Sequence, residues 1–199
     1  MTGQEAILPA ALVITAYLIG SIPTGLILGR VYGIDVRSEG SGNIGATNLY
    51  RTVGRKIGVI TLIGDCLKGF VPVMAVKYSV LPSDYAVWVG LAAFCGHVFS
   101  LFLKFKGGKG VATALGVFLA LAPLAVAASV AIFAALMFYW RYVSLGSIGA
   151  AAAIPFAVAL LGGDKTLTVA TLLIALVVIF RHHENIRRLM AGTESKFKA

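Results

Sequence analysis

Five stretches of the chain contain no Asp, Glu, Lys or Arg: Ala6–Gly29, Tyr85–Leu103, Gly110–Trp140, Tyr142–Gly163 and Thr166–Phe180. A helix rises about 1.5 Å per residue and the hydrocarbon core of a bilayer is about 30 Å thick, so roughly 20 apolar residues cross it. Most of the stretches meet that length. A sixth, Ile57–Leu81, is apolar except for Asp65, Lys68 and Lys77. Ionisable groups at membrane depth are costly, so these are expected to face an interior site or to reach for the interface. With 59% hydrophobic and 13% charged residues and a mean hydropathy of +0.92, the chain is placed among membrane proteins. The first stretch is expected to stay attached, because no basic residue precedes it and it exceeds the length of a signal core.

The net charge of +9 comes from Lys and Arg clustered between the apolar stretches. That distribution fits the positive-inside rule and anionic lipid, so lipid is the expected partner and nucleic acid is not. Arg30, Arg37, Arg51, Arg55 and Lys56 follow Ala6–Gly29, KFKGGKG follows Tyr85–Leu103, and RHHENIRRLMAGTESKFKA closes the chain. Placing all three in the cytoplasm requires an even number of crossings between Lys109 and Arg181, where only three apolar stretches lie. Pro123, in ALAPLA, removes a helical hydrogen bond near the middle of the longest stretch and is expected to divide it by a turn. The expected fold is an all-α integral membrane protein: a polytopic bundle of seven transmembrane helices in one domain, 1–199, N-terminus outside and C-terminus cytoplasmic. A single long, kinked helix through Pro123 is the alternative, and it puts the basic tail outside. Cys66 and Cys95 lack the spacing of a metal or redox pair, and neither metal nor cofactor is expected.

The segment SEGSGNIGATN, 38–48, contains GSGNIG, which fits the dinucleotide pattern G-x-G-x-x-G. No buried strand precedes it, so a Rossmann reading is set aside. Glycines at a membrane surface have another use: backbone N–H groups freed from side chains form a nest around an anion, aided by a helix starting just after. KFKGGKGVATA has that form, with Lys104, Lys106 and Lys109 around Gly107, Gly108 and Gly110 and a helix expected from about Val111. In the first motif Ser41, Gly42, Asn43, Thr47 and Asn48 are small or hydrogen-bonding, and Arg51 offers a planar cationic fork to phosphate. Bland readings stand beside both: a flexible basic turn, and a capped helix start. A third motif, FRHHENIRRL, spaces His182 and Asn185 three residues apart, on one helical face, with His183 and Glu184 pointing elsewhere.

GSGNIGATN, FKGGKGVAT and the RHxxNIxRL pattern, in this order between such spans, closely resemble the bacterial acyl-phosphate-dependent glycerol-3-phosphate acyltransferases, the PlsY family. GSIP in the first span, DCLKG from Asp65, RYVSLGS from Arg141 and the late Glu194 also look like family features. The resemblance implies transfer of a fatty acyl group from acyl phosphate to the 1-hydroxyl of glycerol 3-phosphate in the bacterial inner membrane, at its cytoplasmic side. It implies catalytic roles for Ser41, His182 and Asn185. Phosphate binding would fall to Ser41, Gly42, Asn43, Arg51, Lys106, Gly107, Gly108, Lys109, Gly110 and, more weakly, Ser147, while Glu194 would be structural. No obligatory protein partner is expected.

The chemistry agrees with the residues present. Acyl phosphate is a mixed anhydride whose phosphate leaves readily, so the protein has mainly to align a hydroxyl and gather negative charge. No Ser-His-Asp set or Cys nucleophile is legible, and direct attack without an acyl-enzyme is expected. The His-x4-Asp pair of thioester-dependent acyltransferases is also missing, since His97, His182 and His183 are followed at that offset by Phe102, Arg187 and Arg188. A carrier of phosphate esters is the competing class. Carriers commonly show duplicated halves and a midplane site, and neither is visible in this sequence.

Overall fold

The computed structural model describes residues 3–197, and among these only helices and turns occur. The helices are α1 (Gly3–Ser21), α2 (Thr24–Val31), α3 (Ala46–Thr52), α4 (Arg55–Lys77), α5 (Asp84–Val98), α6 (Val111–Leu121), α7 (Pro123–Trp140), α8 (Val143–Leu160), α9 (Lys165–Arg181) and α10 (His183–Met190). They fall into two compact units, Met1–Leu121 with α1–α6 and Ala122–Ala199 with α7–α10.

Among the described residues, five segments are long and apolar enough to cross a membrane: Ile7–Val31, Arg55–Lys77, Asp84–Leu103, Pro123–Trp140 and Val143–Leu160. A sixth arises if Lys165–Arg181 and His183–Met190, bent by 55°, form one span. The chain is a multi-pass membrane protein. Helix α4 shows how such a helix is sorted: it turns Val59, Ile60, Leu62, Ile63, Leu67 and Val71 outward and buries Thr61, Asp65, Lys68 and Gly69. Lipid solvates the apolar side chains as well as a core would, so the interior goes to small and polar residues.

In the first unit α1 packs on α5 and α4 runs beside α6. Both contacts depend on close backbone approach: a Cβ at Gly20 would collide with the Ala93 carbonyl, and one at Gly116 with the Cys66 carbonyl. The first span is not continuous. Within GSIPTG, 20–25, Ile22 and Pro23 separate α1 from α2. A break at membrane depth leaves carbonyls that water cannot satisfy. Here Ser100 Oγ donates to the Ser21 carbonyl at 2.6 Å and Lys68 Nζ to the Ile22 carbonyl at 2.9 Å.

The long uncharged stretch is interrupted at Pro123, as its proline led us to expect. Helix α6 ends at Leu121, Ala122 adopts φ −145° and ψ 65°, and α7 starts on the proline, whose fixed φ suits a first helical position. With 11 residues α6 is about half the length needed to cross the core. Its last turn is held by Lys77, whose Nζ donates to the Ala120 carbonyl at 2.9 Å.

The second unit packs α7 on α8 and α8 on α9. Arg141 takes a left-handed φ of 64° to end α7, and Asp164 caps α9 by accepting the Leu167 N–H at 2.7 Å. His182 ends α9 and leads into α10.

Candidate active site

The first motif is folded around Asn48. Its side chain amide is buried, accepts the Ser41 N–H at 2.9 Å and donates to the carbonyls of Val36 and Glu39 at 3.0 Å each. Gly40 has φ +58°, and a Cβ there would meet Asn48 Oδ1. The bend 36–41 is therefore closed on one side chain, leaving Ser41 exposed on a fixed backbone. Below it, Leu26, Val36, Ile44, Leu49 and Ile57 form a small apolar core. Leu103, which leads into the second motif, packs on that same core. Asn43, expected to serve phosphate, accepts the Gly45 N–H through Oδ1 at 2.8 Å just ahead of α3, a bond that uses its acceptor and not the Nδ2 donor an anion would take. Arg51 is exposed in the last turn of α3. The exposed Asp35 binds Arg37 through both carboxylate oxygens, at 2.9 and 2.6 Å, and these bonds hold its carboxyl well below the usual carboxylate range.

The second motif begins with a sharp reversal: Lys104 and Phe105 both have positive φ, 51° and 63°. Then the loop is tied to the end of α5. Gly107 N–H donates to the Val98 carbonyl and Gly108 N–H to the His97 carbonyl, each at 3.1 Å. Those two N–H groups, expected to line an anion nest, are thus spent on the scaffold. The anion-facing capacity shifts to the next residues, where Gly110 (φ +83°) starts α6 and the first turn of a helix presents N–H groups without helical partners. Lys109 is half-buried and Lys106 exposed.

In the second unit the burial of α10 follows the expected spacing: His182 and Asn185 are buried, His183 and Glu184 exposed. His182 Nδ1 lies 2.7 Å from the Val178 carbonyl. A carbonyl only accepts, so the contact assigns the hydrogen to Nδ1, and in the neutral ring Nε2 carries the lone pair. Asn185 Nδ2 donates to Glu194 Oε1 at 2.7 Å, Ser144 Oγ to the same oxygen at 2.8 Å, and Arg188 Nε to Oε2 at 2.7 Å. Burial alone would raise the Glu194 pKa; the bonds from Arg188, Asn185 and Ser144 outweigh it and hold the carboxyl below its ordinary value. Ser147 donates into its own helix, to the Val143 carbonyl at 2.9 Å, and would have to turn to donate to a phosphate.

The family profile described as glycerol-3-phosphate acyltransferase matches residues 10–192. The chain belongs to the glycerol-3-phosphate acyltransferase family. A glycerol-3-phosphate acyltransferase of Trichlorobacter lovleyi is 67% identical over 92% of this chain and 95% of its own length, and one of Geobacter sulfurreducens is 57% identical over the same shares. The crystal structure of PlsY, an integral membrane glycerol 3-phosphate acyltransferase, in its glycerol 3-phosphate form is 41% identical, covers 96% of both chains and has a TM-score of 0.91. Its lysophosphatidic acid form has a TM-score of 0.88.

Two side chains of this acyltransferase emerge only from the folded structure. Asn48 is the organiser of the first motif, although sequence reasoning grouped it with the surface hydrogen-bonding residues. Glu194, expected only to be structural, binds Asn185 directly, a partner that nothing in the sequence pointed to.

Proposed function

We propose that the chain transfers a fatty acyl group from acyl phosphate to the 1-hydroxyl of glycerol 3-phosphate, giving lysophosphatidic acid and phosphate. The observation that carries this reading is the pairing of two glycine-and-cation segments in the first unit, one for each phosphate the reaction would bring. Arg51 and the exposed Ser41 hydroxyl serve one phosphate. Lys109, Lys106 and the N–H groups at the start of α6 serve the other. The acceptor hydroxyl attacks the acyl carbonyl carbon, the bond from that carbon to the phosphate oxygen breaks, and phosphate leaves with the electron pair. His182 Nε2 holds the attacking hydroxyl, and its proton passes to that nitrogen or to an oxygen of the departing phosphate. Asn185, oriented by Glu194, supplies an amide dipole. Aligned groups of this kind supply most of what so reactive a donor requires. No acyl-enzyme forms.

The same reading makes 1–199 one polytopic domain with seven crossings, α6 being the short one, in the bacterial cytoplasmic membrane with the N-terminus outside. Ser38, Phe105, Arg141 and Phe197 then share the cytoplasmic side. Single cysteines at these positions, in a chain lacking Cys66 and Cys95, are expected to resist an impermeant thiol reagent in intact cells; labelling at Phe197 alone would remove one crossing.

Activity is tested by supplying pure protein in detergent with labelled glycerol 3-phosphate and, separately, palmitoyl phosphate, palmitoyl-CoA or palmitoyl carrier protein. Lysophosphatidic acid should form from palmitoyl phosphate alone. Efficient use of either thioester overturns the donor, and no lipid product from any donor returns the chain to the carrier class.

A further inference from the structure

The proposed reaction uses none of three buried polar groups in the first unit. Asp65 and Lys68 stand three residues apart on α4 with Nζ 2.8 Å from Oδ1, their side chains 3% and 6% exposed. His97 on α5, 3% exposed, places Nδ1 3.8 Å from the same carboxylate oxygen. An ion pair at membrane depth is weak evidence of stabilisation, because desolvation cancels much of the attraction. What the cluster touches is more informative. At one end Lys68 holds the Ile22 carbonyl in the break between α1 and α2. At the other the imidazole turns its Nε2 edge toward the glycine-lysine loop: a Cβ on Gly108 would run into Nε2 and approach Cε1 to 3.1 Å. The His97 carbonyl takes the Gly108 N–H at 3.1 Å, and Phe94, one turn earlier, fills the space a Cβ on Gly110 would need.

We propose that His97, packed beside the Asp65–Lys68 pair, is a positioning residue for the 107–110 loop, setting its curvature so that Lys109 and the start of α6 face the bound phosphate. At 3.8 Å Asp65 makes no hydrogen bond to Nδ1 and acts as a nearby negative charge, which favours the hydrogen on Nδ1 and a lone pair on the Nε2 edge that faces the loop. Gly107 and Gly108 are required here for the room they leave to α5 and His97. The inference rests on the reading of this loop as a phosphate cradle.

The test uses the full-length enzyme in detergent, with kcat and KM measured for palmitoyl phosphate and glycerol 3-phosphate, inhibition by inorganic phosphate, and the thermal midpoint. Lys109→Ala reports on the cradle itself and should raise KM for one substrate. His97→Ala should raise KM for that same substrate about tenfold, the scale on which outer partners tune a bound group, and weaken phosphate inhibition alike. Its kcat should stay within about twofold, the signature of lost binding and not of lost chemistry. His97→Gln, which returns a polar group near the Nε2 position, should recover most of the loss. An unchanged KM in His97→Ala beside a raised KM in Lys109→Ala overturns the positioning role and leaves the cradle standing. An unchanged KM in Lys109→Ala overturns the cradle, and the inference with it. If His97→Ala does not fold, His97→Gln and His97→Asn decide: the longer amide reaches the loop and the shorter only Asp65, so equal KM values in the two overturn the proposal.

Discussion

The bend of the first unit and the tail of the second are each gathered on one buried polar side chain, and the two anchors differ in kind. Asn48 is a neutral amide whose three partners are all backbone: the Ser41 N–H and the carbonyls of Val36 and Glu39. Glu194 is a carboxylate whose three partners are all side chains: Ser144, Asn185 and Arg188. An anchor on backbone fixes the path of the chain whatever side chains the loop carries. An anchor on side chains fixes where particular functional groups point, and it holds only while it is charged. The first unit therefore owes its loop to geometry that acid and salt barely reach, whereas the second aims Asn185 through electrostatics.

The largest effect is expected from Asn48→Ala, which removes three hydrogen bonds at once and should cost about 3 kcal/mol of stability together with most of the acyl transfer. Thermal unfolding in detergent and the palmitoyl phosphate assay measure both, and a variant as stable and active as the parent would dissolve the contrast. Glu194→Gln comes next. The isosteric amide keeps the shape but deprives Arg188 of its charge partner, for a loss of about 1.5 to 3 kcal/mol, felt in turnover through Asn185. If kcat holds while only stability falls, Glu194 braces the tail without aiming the amide.

The third expectation separates the anchors by pH. The folded-state pKa of Glu194 lies below its ordinary value of 4.5, so its contribution is present above that value and is lost as pH falls from 4.5 toward the folded pKa. Unfolding followed across this acidic range should show that loss in the parent and in Asn48→Ala but not in Glu194→Gln; the same slope in all three would trace it to other carboxylates. Smallest of all is Arg37→Gln. The pair it breaks with Asp35 is exposed, and exposed ion pairs contribute little, so activity and melting should match the parent. A change as large as that of Glu194→Gln would mean that the bend depends on charge after all.

What the sequence made legible were features determined within a few residues. The helix break before Pro123, the start of α6 at Val111 and the burial of both His182 and Asn185 follow from local backbone rules and three-residue spacing. The positions resting on distant partners were hidden. Nothing near Gly107 or Gly108 reveals that their N–H groups close on the end of α5, and nothing near Asn43 reveals that its Oδ1 accepts the Gly45 N–H. Ala6–Gly29 was legible as one apolar span but not as an interrupted one, because the groups that make the break tolerable, Lys68 and Ser100, lie 46 and 79 residues away from their acceptors. The organising roles of Asn48 and His97, and the partners of Glu194, were hidden for the same reason, since a polar residue acquires such contacts only from what folding brings to it.

That interrupted first span has a consequence for biogenesis. Synthesis runs from the N-terminus, so α1 and α2 meet the bilayer before α4 and α5 have left the ribosome. Until they arrive, the Ser21 and Ile22 carbonyls lack the donors that Ser100 and Lys68 later provide, and hydrocarbon offers no substitute. The newly made segment then has two courses: to enter lipid as a straighter helix that bends once its neighbours dock, or to wait at the translocation machinery for them. In either case the kink is a late event, and the order in which this enzyme assembles is written into a serine and a lysine that the ribosome delivers after the proline they accommodate.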